Sequence, residues 1–342
     1  MKKLTVRHAT EVAVTLLASV AMLVSLAACA TSSKEGASGQ ERQPTVRLGW
    51  VKSTANLAAY LPSYHPEEVA EGITLEPTLF TTAVDIQTAL VGGQLDVGIL
   101  TPVHLLRAAE KGNDLIQIAG NTRGNTGILF SKELGLEQDN WDGLKTILSE
   151  RKLKIATSRG SINEALAIAE FSKYGIDVNT DVELINIANF GQHAEGVRLG
   201  EFDGVFTLEA VASLMVIDDI ATLFNKPYDT EAGDINTIFV ANRSWAEKNP
   251  ETVTAFVQTI ANSSAKLAND PEFNVQIGLE HVGLDKEIIE LALENNRYEI
   301  ANGLDETKAL AEIQFGLGLV SRDLTSEIEG YMTDQYLDEV KH

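Results

Sequence analysis

One ten-residue pattern occurs twice in this chain and constrains its architecture more than any other feature. Residues 93–102 read GQLDVGILTP, and residues 200–209 read GEFDGVFTLE. Each copy has Gly-x-apolar-Asp, a short apolar strand and the start of a helix, and each follows an amphipathic helix, at 86–91 and 193–199. Gly-x-x-Asp turns are common and recur by chance. The matching context on both sides of the pattern nevertheless predicts two lobes that are built alike.

Short apolar segments alternate with helical patterns over most of the chain. The predicted strands cover 46–51, 73–80, 96–100, 115–119, 153–156, 181–187 and 204–207. The predicted helices cover 85–91, 103–111, 162–174, 193–199 and 210–217, followed by a nearly continuous helical region over 244–337. Such alternation is typical of α/β folds, in which a parallel sheet carries helices on its faces.

The N-terminus has the composition of an export signal. Basic residues within the first seven positions precede an apolar run over 12–26, and Cys29, the only cysteine, follows Leu-Ala-Ala. This arrangement resembles the lipobox of bacterial lipoproteins, whose thiol receives a diacylglyceryl group and becomes the first residue of the mature chain. We therefore expect residues 1–28 to be a lipoprotein signal peptide and 29–44 a flexible tether. The protein would be exported and lipid-anchored at Cys29 on the outer side of the cytoplasmic membrane.

Two other interpretations of the N-terminus remain. A plain signal peptide could end near this point, which would leave Cys29 without a special role. A transmembrane anchor needs about 20 apolar residues, whereas this run is shorter and includes Thr15, Ser19 and Ser25.

The composition limits the classes of partner and site. The chain has 49 acidic and 27 basic residues, a formal net charge of −22. Nucleic-acid binding needs a basic surface, so we expect no nucleic-acid partner, and a surface this acidic favours a monomer. The length exceeds what one core usually holds and indicates two domains. Because no cysteine follows Cys29, the folded part has no disulfide framework and no thiolate metal site.

Known catalytic motifs are absent from the sequence. It contains no Gly-x-Ser-x-Gly elbow, no phosphate loop ending in Gly-Lys-Ser/Thr and no Gly-x-Gly-x-x-Gly. The histidines are scattered and none pair at metal-ligand spacing; they are His8, His65, His104, His193, His281 and His342. We expect a binding protein rather than an enzyme, with no cofactor and no metal.

Candidate ligand-binding residues follow the predicted strands. Ligands of open parallel sheets bind beyond the carboxyl ends of the strands, and helix N-termini at that edge favour anions. Thr82 and Asp85 have capping-box spacing, as do Ser161 and Glu164, and Thr101-Pro102 is a candidate helix start with proline at the first helical position. Arg159 stands just before the helix that Ser161 would cap, where a cation has little helix-stabilising role. The candidates are Trp50, Lys52, Thr54, Asn56, Thr81, Thr82, Thr101, Pro102, Asn125, Arg159, Gly160, Ser161, Asn163, Asn189 and Glu209.

Two kinds of solute fit these candidates. The polar turn over 159–163 suits a sulfonate, a carboxylate or a similar oxyanion, and Glu209 would take an ammonium, so that together they suit a small zwitterion such as an aminosulfonate. The alternative is a neutral heterocycle such as a pyrimidine, held by stacking and by the loops with Thr54, Asn56 and Thr101.

Several segments together resemble a known family. An exported α/β chain with two lobes and a helical tail is similar to the periplasmic-type solute-binding proteins of ABC importers. Residues 86–98 (IQTALVGGQLDVG) resemble the AL-x-x-G-x-x-D-x-G segment of the group that binds nitrate, sulfonates, taurine and the pyrimidine precursor of thiamine. Gly160-Ser161, 200–209 and 242–251 (NRSWAEKNPE) resemble later segments of that group, and the resemblance covers roughly 45–264.

The chain departs from that group at three places. Ala210 stands where the group has proline, 81–83 (TTA) stands where it often has glycine, and Arg159 stands where a small residue or proline is usual. The first two affect the shape of the pocket, and the third indicates a ligand with its own charge preference.

The resemblance implies a two-lobe periplasmic-binding-protein type II fold, in which each lobe is a sheet flanked by helices. One lobe would hold 45–127 and 243–342, the other 128–242, with 128–131 and 238–241 as the hinge. The protein would capture a small organic solute in the cleft and dock on an ABC permease in the membrane. An enzyme or sensor on the same fold, similar to a pyrimidine synthase, and a metal-binding lipoprotein are the alternatives.

Replacing Cys29 by alanine is expected to release the protein from membranes or to leave it unprocessed, because the thiol would carry the lipid. Metabolic labelling with a fatty acid measures this directly. The wild type and the control Ser25→Ala should carry the label, and Cys29→Ala should not. An unlabelled wild-type chain would show that the anchor is wrong.

Overall fold

The computed structural model describes residues 43–341. The expected signal peptide, Cys29 and most of the expected tether lie outside the described residues. Within 43–341, no helix combines the length and the apolar character needed to cross a membrane.

Eleven strands lie within the described residues. They are β1 (Thr45–Val51), β2 (Thr74–Phe80), β3 (Val97–Leu100), β4 (Leu115–Gly124), β5 (Thr126–Ser131), β6 (Leu153–Thr157), β7 (Val182–Asn186), β8 (Gly204–Leu208), β9 (Ala221–Asn225), β10 (Ile235–Asn242) and β11 (Asn296–Tyr298). All seven predicted strands are present. Strands β5 and β10 contain 128–131 and 238–241, which were expected only as the hinge. The prediction missed β9 and the short β11, which interrupts the region expected to be helical.

Thirteen α-helices lie in the same part of the chain. They are α1 (Leu57–Tyr64), α2 (Pro66–Val69), α3 (Ala83–Val91), α4 (Pro102–Glu110), α5 (Trp141–Glu150), α6 (Ile162–Lys173), α7 (His193–Arg198), α8 (Val211–Ile217), α9 (Arg243–Lys248), α10 (Pro250–Asn269), α11 (Pro271–Val282), α12 (Lys286–Leu293) and α13 (Leu304–Gly316).

The predicted capping boxes begin two of these helices. Thr82 Oγ1 accepts a hydrogen bond from the Asp85 amide at 3.2 Å, and Ser161 Oγ accepts one from the Glu164 amide at 3.2 Å. Each bond satisfies a first-turn amide that the helix itself cannot satisfy. Both predictions are confirmed.

The strands form two mixed sheets. The first has the order β11-β4-β10-β3-β1-β2, and the second has the order β7-β6-β8-β5-β9. Strand β1 pairs in parallel with β2 and β3, and β6 pairs in parallel with β7 and β8, as the alternating pattern predicted. The expectation of purely parallel sheets is wrong, because β10 and β5 insert antiparallel to their neighbours. We call each sheet with its helices the first lobe and the second lobe.

The chain passes between the sheets at two places. It leaves the first sheet at Asn125, between β4 and β5, and returns through residues 226–234, between β9 and β10. Strand β10 therefore belongs to the first sheet, whereas the sequence analysis placed it in the second lobe. The segments 128–131 and 238–241, expected to be the hinge, lie inside β5 and β10 and are paired on both sides.

The repeated sequence pattern forms the same structure in both lobes. Asp96 accepts hydrogen bonds from the Arg47 amide at 2.9 Å and from its Nη2 at 2.6 Å. Asp203 accepts them from the Lys154 amide at 2.7 Å and from Arg151 Nη2 at 2.7 Å. In each lobe the aspartate thus binds the edge of the adjacent parallel strand, which explains why the pattern precedes a strand both times.

Apolar contacts join the lobes on two sides. Ile162 and Leu166 of α6 share one buried cluster with Leu106 of α4. Ile289 of α12 packs in another cluster with Ala210, which precedes α8. The ends of β1 and β8 also meet, because Ser53 Oγ donates to the Glu209 oxygen at 3.5 Å.

Asp96→Ala should lower the free energy of unfolding by about 2 kcal/mol, because it removes charge-assisted hydrogen bonds to Arg47 from a largely buried carboxylate. Asp203→Ala should act in the same direction. The control Asp85→Ala removes an exposed carboxylate at the start of α3 and should cost less than about 1 kcal/mol. Urea denaturation measures all three, and equal losses for Asp96→Ala and Asp85→Ala would contradict this role of the pattern.

Candidate functional site

Buried polar side chains collect where the strand ends of the two lobes meet. The first lobe contributes the loop after β1 and residues next to β11, and the second lobe contributes the end of β8. Eight of these polar residues are each at most 8% exposed: Ser53, Thr54, Asn56, Asn125, Thr126, Glu209, Ser213 and Asn295. Buried polar groups need hydrogen-bond partners, so the geometry of this inter-lobe polar layer is set by its bonds.

Glu209, at the end of β8, is the charged residue of the layer. Its carboxylate accepts hydrogen bonds from Ser213 Oγ at 2.7 Å, from the Ser213 amide at 3.1 Å and from Asn295 Nδ2 at 3.1 Å. Burial raises its pKa above the ordinary value, although these donors act in the opposite direction. Because Asn295 belongs to the first lobe, this hydrogen bond joins the lobes.

Asn295 also holds both connections between the lobes. Its backbone oxygen accepts from the Asn125 amide at 2.8 Å, and its Oδ1 lies 3.0 Å from the hydroxyl of Tyr228 in the return segment. Gly124 approaches so closely that a Cβ there would lie 2.2 Å from the Asn295 oxygen, and its φ of +85° also favours glycine. The crossing point therefore has room for no side chain at position 124.

The loop after β1 forms the first-lobe wall of the layer. Asn125 Nδ2 donates to Thr54 Oγ1 at 3.2 Å and to Asn296 Oδ1 at 2.7 Å. Asn56 is fully buried, and its Nδ2 donates to the Val51 oxygen at 2.7 Å. The structure thus brings together the predicted residues Thr54, Asn56, Asn125 and Glu209.

Three buried polar atoms at this level have no partner among the described residues. They are Asn121 Oδ1 and Asn296 Nδ2 in the first lobe and Thr157 Oγ1 at the end of β6 in the second lobe. An unpaired buried polar atom costs about 1–3 kcal/mol. Unused acceptor and donor capacity therefore lies on the first-lobe side of the layer, where Asn121 bonds to Asn56 and Asn296 bonds to Asn125, and at the end of β6 in the second lobe.

The start of α6 differs from the expected oxyanion site. Glu164, 1% exposed, places its carboxylate there: Oε1 lies 2.6 Å from Arg159 Nε, and Oε2 accepts from the Gly160 amide. Asn163 Nδ2 donates to Thr126 Oγ1 and to the Thr207 oxygen, both at 3.0 Å. Arg159 is therefore paired with a carboxylate of its own chain, and Asn163 fixes α6 to the layer.

Thr101 and Pro102 begin α4, as predicted. Thr101 Oγ1 lies 2.8 Å from His104 Nδ1 and does not cap the helix with its side chain. Burial, together with the charge of Arg107, lowers the pKa of His104 to about 4. His104 is accordingly neutral at physiological pH.

The other predicted residues lie apart from the layer. Trp50 is 1% exposed and belongs to the first-lobe core, where it contacts Tyr60 and His281. Lys52 and Thr81 are exposed. Thr82 serves as a helix cap, and exposed Asn189 accepts a hydrogen bond from the Gly191 amide in a short turn.

Sequence reasoning missed Asn295, Tyr228 and Arg107. Asn295 and Tyr228 lie far along the chain from the strand ends that they contact, so no local pattern pointed to them. A paired amide, Asn295-Asn296, inside a region expected to be helical was the available signal. Over residues 43–341, no group of three or more His, Asp or Glu is placed to hold a metal ion.

Comparison with known proteins now identifies the family. The model of the NMT1-like family matches residues 39–277. This chain belongs to the NMT1-like family. No curated protein matches it.

Solved structures resembling this NMT1-like protein show its fold. The alkanesulfonate-binding protein SsuA from Xanthomonas axonopodis pv. citri, bound to MOPS, has 16% identity and a TM-score of 0.70 over 84% of this chain and 98% of its own. The periplasmic nitrate-binding protein NrtA from Synechocystis PCC 6803 has 14% identity and a TM-score of 0.75, over 86% and 87%. A ligand-binding component of an ABC-type import system from Staphylococcus aureus, with zinc bound, has 14% identity and a TM-score of 0.74, over 87% and 99%. The expected two-lobe periplasmic-binding-protein fold is confirmed.

Glu209→Gln should change how stability depends on pH. A carboxyl whose pKa is raised by folding binds a proton more readily in the folded chain, so its contribution to stability falls as pH rises above the ordinary pKa of glutamate. Between about pH 4 and pH 7, the wild type should lose stability relative to Glu209→Gln. Thermal unfolding at several pH values measures this, with Glu183→Gln, exposed on β7, as the control. Parallel pH profiles for the wild type and Glu209→Gln would contradict the burial argument.

Proposed function

We propose that this protein is the extracytoplasmic solute-binding component of an ABC importer and captures a small polar solute between its lobes. The observation that carries the proposal is the inter-lobe polar layer, with unpaired buried atoms on both lobes: Asn121 Oδ1, Asn296 Nδ2 and Thr157 Oγ1. A solute with donors and acceptors would satisfy these atoms in the closed protein. The named binding proteins with the same fold support this interpretation.

Binding energy would be converted into closure of the lobes. A ligand shifts a conformational equilibrium only through its differential affinity for the two states. A solute that touches both lobes would favour closure, while the bond between Glu209 and Asn295, 3.1 Å long, would stabilise the closed state further. Asn125 and residues 226–234, the two connections between the sheets, would act as the hinge. The closed form would then be the one that docks on the permease.

The solute class follows from the family resemblance and the layer. Sulfonates, nitrate-like anions, taurine-like zwitterions and pyrimidine precursors are the candidates. The layer holds a carboxylate, hydroxyls and amides, which recognise polar groups by hydrogen bonds. The function is capture without chemistry, and the solute would leave the protein unchanged.

The N-terminus would attach the protein to the membrane that contains its permease. Residues 1–28 would direct export, Cys29 would carry the lipid, and residues after it would span the gap to the folded part. Burial of a lipid chain contributes about 0.8 kcal/mol per CH₂, so two or three chains would hold the protein beside its permease.

A thermal-shift screen with methanesulfonate, taurine, nitrate and a hydroxymethylpyrimidine tests the function. At about 100 times its dissociation constant, a bound solute should stabilise the protein by about 2.7 kcal/mol, and mass spectrometry should recover it unchanged. Conversion of a bound compound would indicate an enzyme, and no stabilisation by any class would contradict solute binding.

Asn295→Ala provides the matched variant for this screen. It removes the hydrogen bond that joins the lobes and should weaken binding about fivefold to tenfold. The control Asn302→Ala removes a buried asparagine of the first lobe that bonds to Gln117 and Thr333 instead. Equal affinity losses in the two variants would show that the inter-lobe bond has no special role.

A further inference from the structure

Arg107 of α4 carries a positive charge with no partner among residues 43–341. Its side chain is only partly exposed. No described carboxylate lies within 4.0 Å of its guanidinium, and it makes no hydrogen bond to a described residue. A guanidinium carries five N–H donors and no acceptor. Arg107 therefore has free donors for a negatively charged or strongly accepting group.

The guanidinium reaches from the first lobe onto the second. A Cβ built on Gly160 would lie 2.2 Å from Arg107 Nη2 and 2.3 Å from Nη1, and Gly160 has a φ of +76°. Any side chain at position 160 would displace the arginine. Glycine thus permits the closest approach of Arg107 to the backbone that begins α6.

The neighbouring charged groups form no ion pair with Arg107. Arg159 at the same helix start is paired with Glu164, at 2.6 Å. Glu110, one turn along α4, accepts from the Ser321 amide at 2.5 Å, and this bond, with a smaller contribution from the charge of Arg107, lowers the pKa of Glu110. No oxygen of Glu110 lies within 4.0 Å of the guanidinium. His104 is neutral because its pKa is lowered to about 4. The charges of Arg159 and Glu164 cancel locally. Among the described residues, Arg107 therefore remains without an ion pair at this boundary between the lobes.

We propose that Arg107 is the specificity-determining residue of the cleft and selects solutes that carry an anionic oxygen group. This proposal rests on the proposed function and assigns the charge selection to Arg107 in place of Arg159. The anion would lie against the first-lobe guanidinium, beside the start of α6, and so would contact both lobes on closure. Glu164 would keep Arg159 from binding the same group.

A pair of isosteric probes tests the charge selection. Methanesulfonate is an anion, and methanesulfonamide is a neutral molecule of nearly the same shape; nitrate and acetate extend the anion series. By calorimetry, the wild type should bind at least one of these anions, and methanesulfonate at least tenfold more tightly than methanesulfonamide. Arg107→Met should weaken anion binding about tenfold to a hundredfold and abolish the discrimination. Arg107→Lys should retain part of it, and Arg159→Met should change affinity less than threefold.

Gly160→Ala tests the contact between the lobes. The new methyl group would displace the guanidinium, so anion affinity should fall about as far as in Arg107→Met, and combining the two changes should add little. Gly175→Ala is the control for backbone strain, because Gly175 has a φ of +73° and nothing near its missing Cβ. It should lower the melting temperature without altering anion affinity.

Three results would overturn the proposal: no anion binding by the wild type at millimolar concentration, equal affinity for the sulfonate and the sulfonamide, or unchanged anion affinity in Arg107→Met. A neutral or cationic solute bound equally by the wild type and Arg107→Met would refute anion selection and leave the solute-binding function standing. Absence of binding in every chemical class would remove both.

Discussion

Asn295 joins the two lobes and both of the segments that connect them. Its side chain bonds to Glu209 of the second lobe, its backbone bonds to Asn125 at one crossing, and its amide oxygen lies beside Tyr228 at the other. Hydrogen bonds are stronger in a buried layer than in water, and unpaired groups are correspondingly costly. Separation of the lobes would break the bond to Glu209 and rehydrate a carboxylate whose burial is unfavourable.

The two lobes share one turn-and-strand motif and differ in the strands and helices that later parts of the chain add to each. In each, the Gly-x-apolar-Asp turn leads into a strand, and its aspartate binds the edge of a parallel neighbour. The first lobe gains β10 and β11 from later in the chain, and the helices from α9 onward follow β10. Residues from distant parts of the sequence therefore reach the inter-lobe polar layer. This explains how Asn295, in the helical tail, becomes a partner of Glu209.

Local sequence patterns were sufficient for most of the fold. Strands with alternating or continuous apolar residues and the caps at Thr82 and Ser161 were predictable, because their signals lie within a few residues. The sequence did not show to which sheet β10 belongs, because an apolar strand has the same sequence pattern in either lobe. The prediction of purely parallel sheets was wrong for the same reason.

The site was predictable in part. Thr54, Asn125 and Glu209 were selected because they follow strands, and the structure places them together. Arg159 was selected for its charge, but the same sequence contains Glu164 five residues later, which pairs with it after helix formation. Arg107 lies on an ordinary amphipathic helix, and only the packing of α4 against α6 shows that its guanidinium has no ion pair with a described residue and contacts the second lobe.

The distance between the lobes tests the central claim most directly. The strand orders place β2 and β7 at the sheet edges away from the crossing strands, so spin labels at exposed Glu76 and Glu183 report closure. With Cys29, the only native cysteine, replaced by serine, double electron–electron resonance should show a longer, broader distance without solute. A saturating stabilising compound from the thermal-shift screen should give one shorter distance. A single distance that is unchanged by a bound solute would contradict capture by lobe closure.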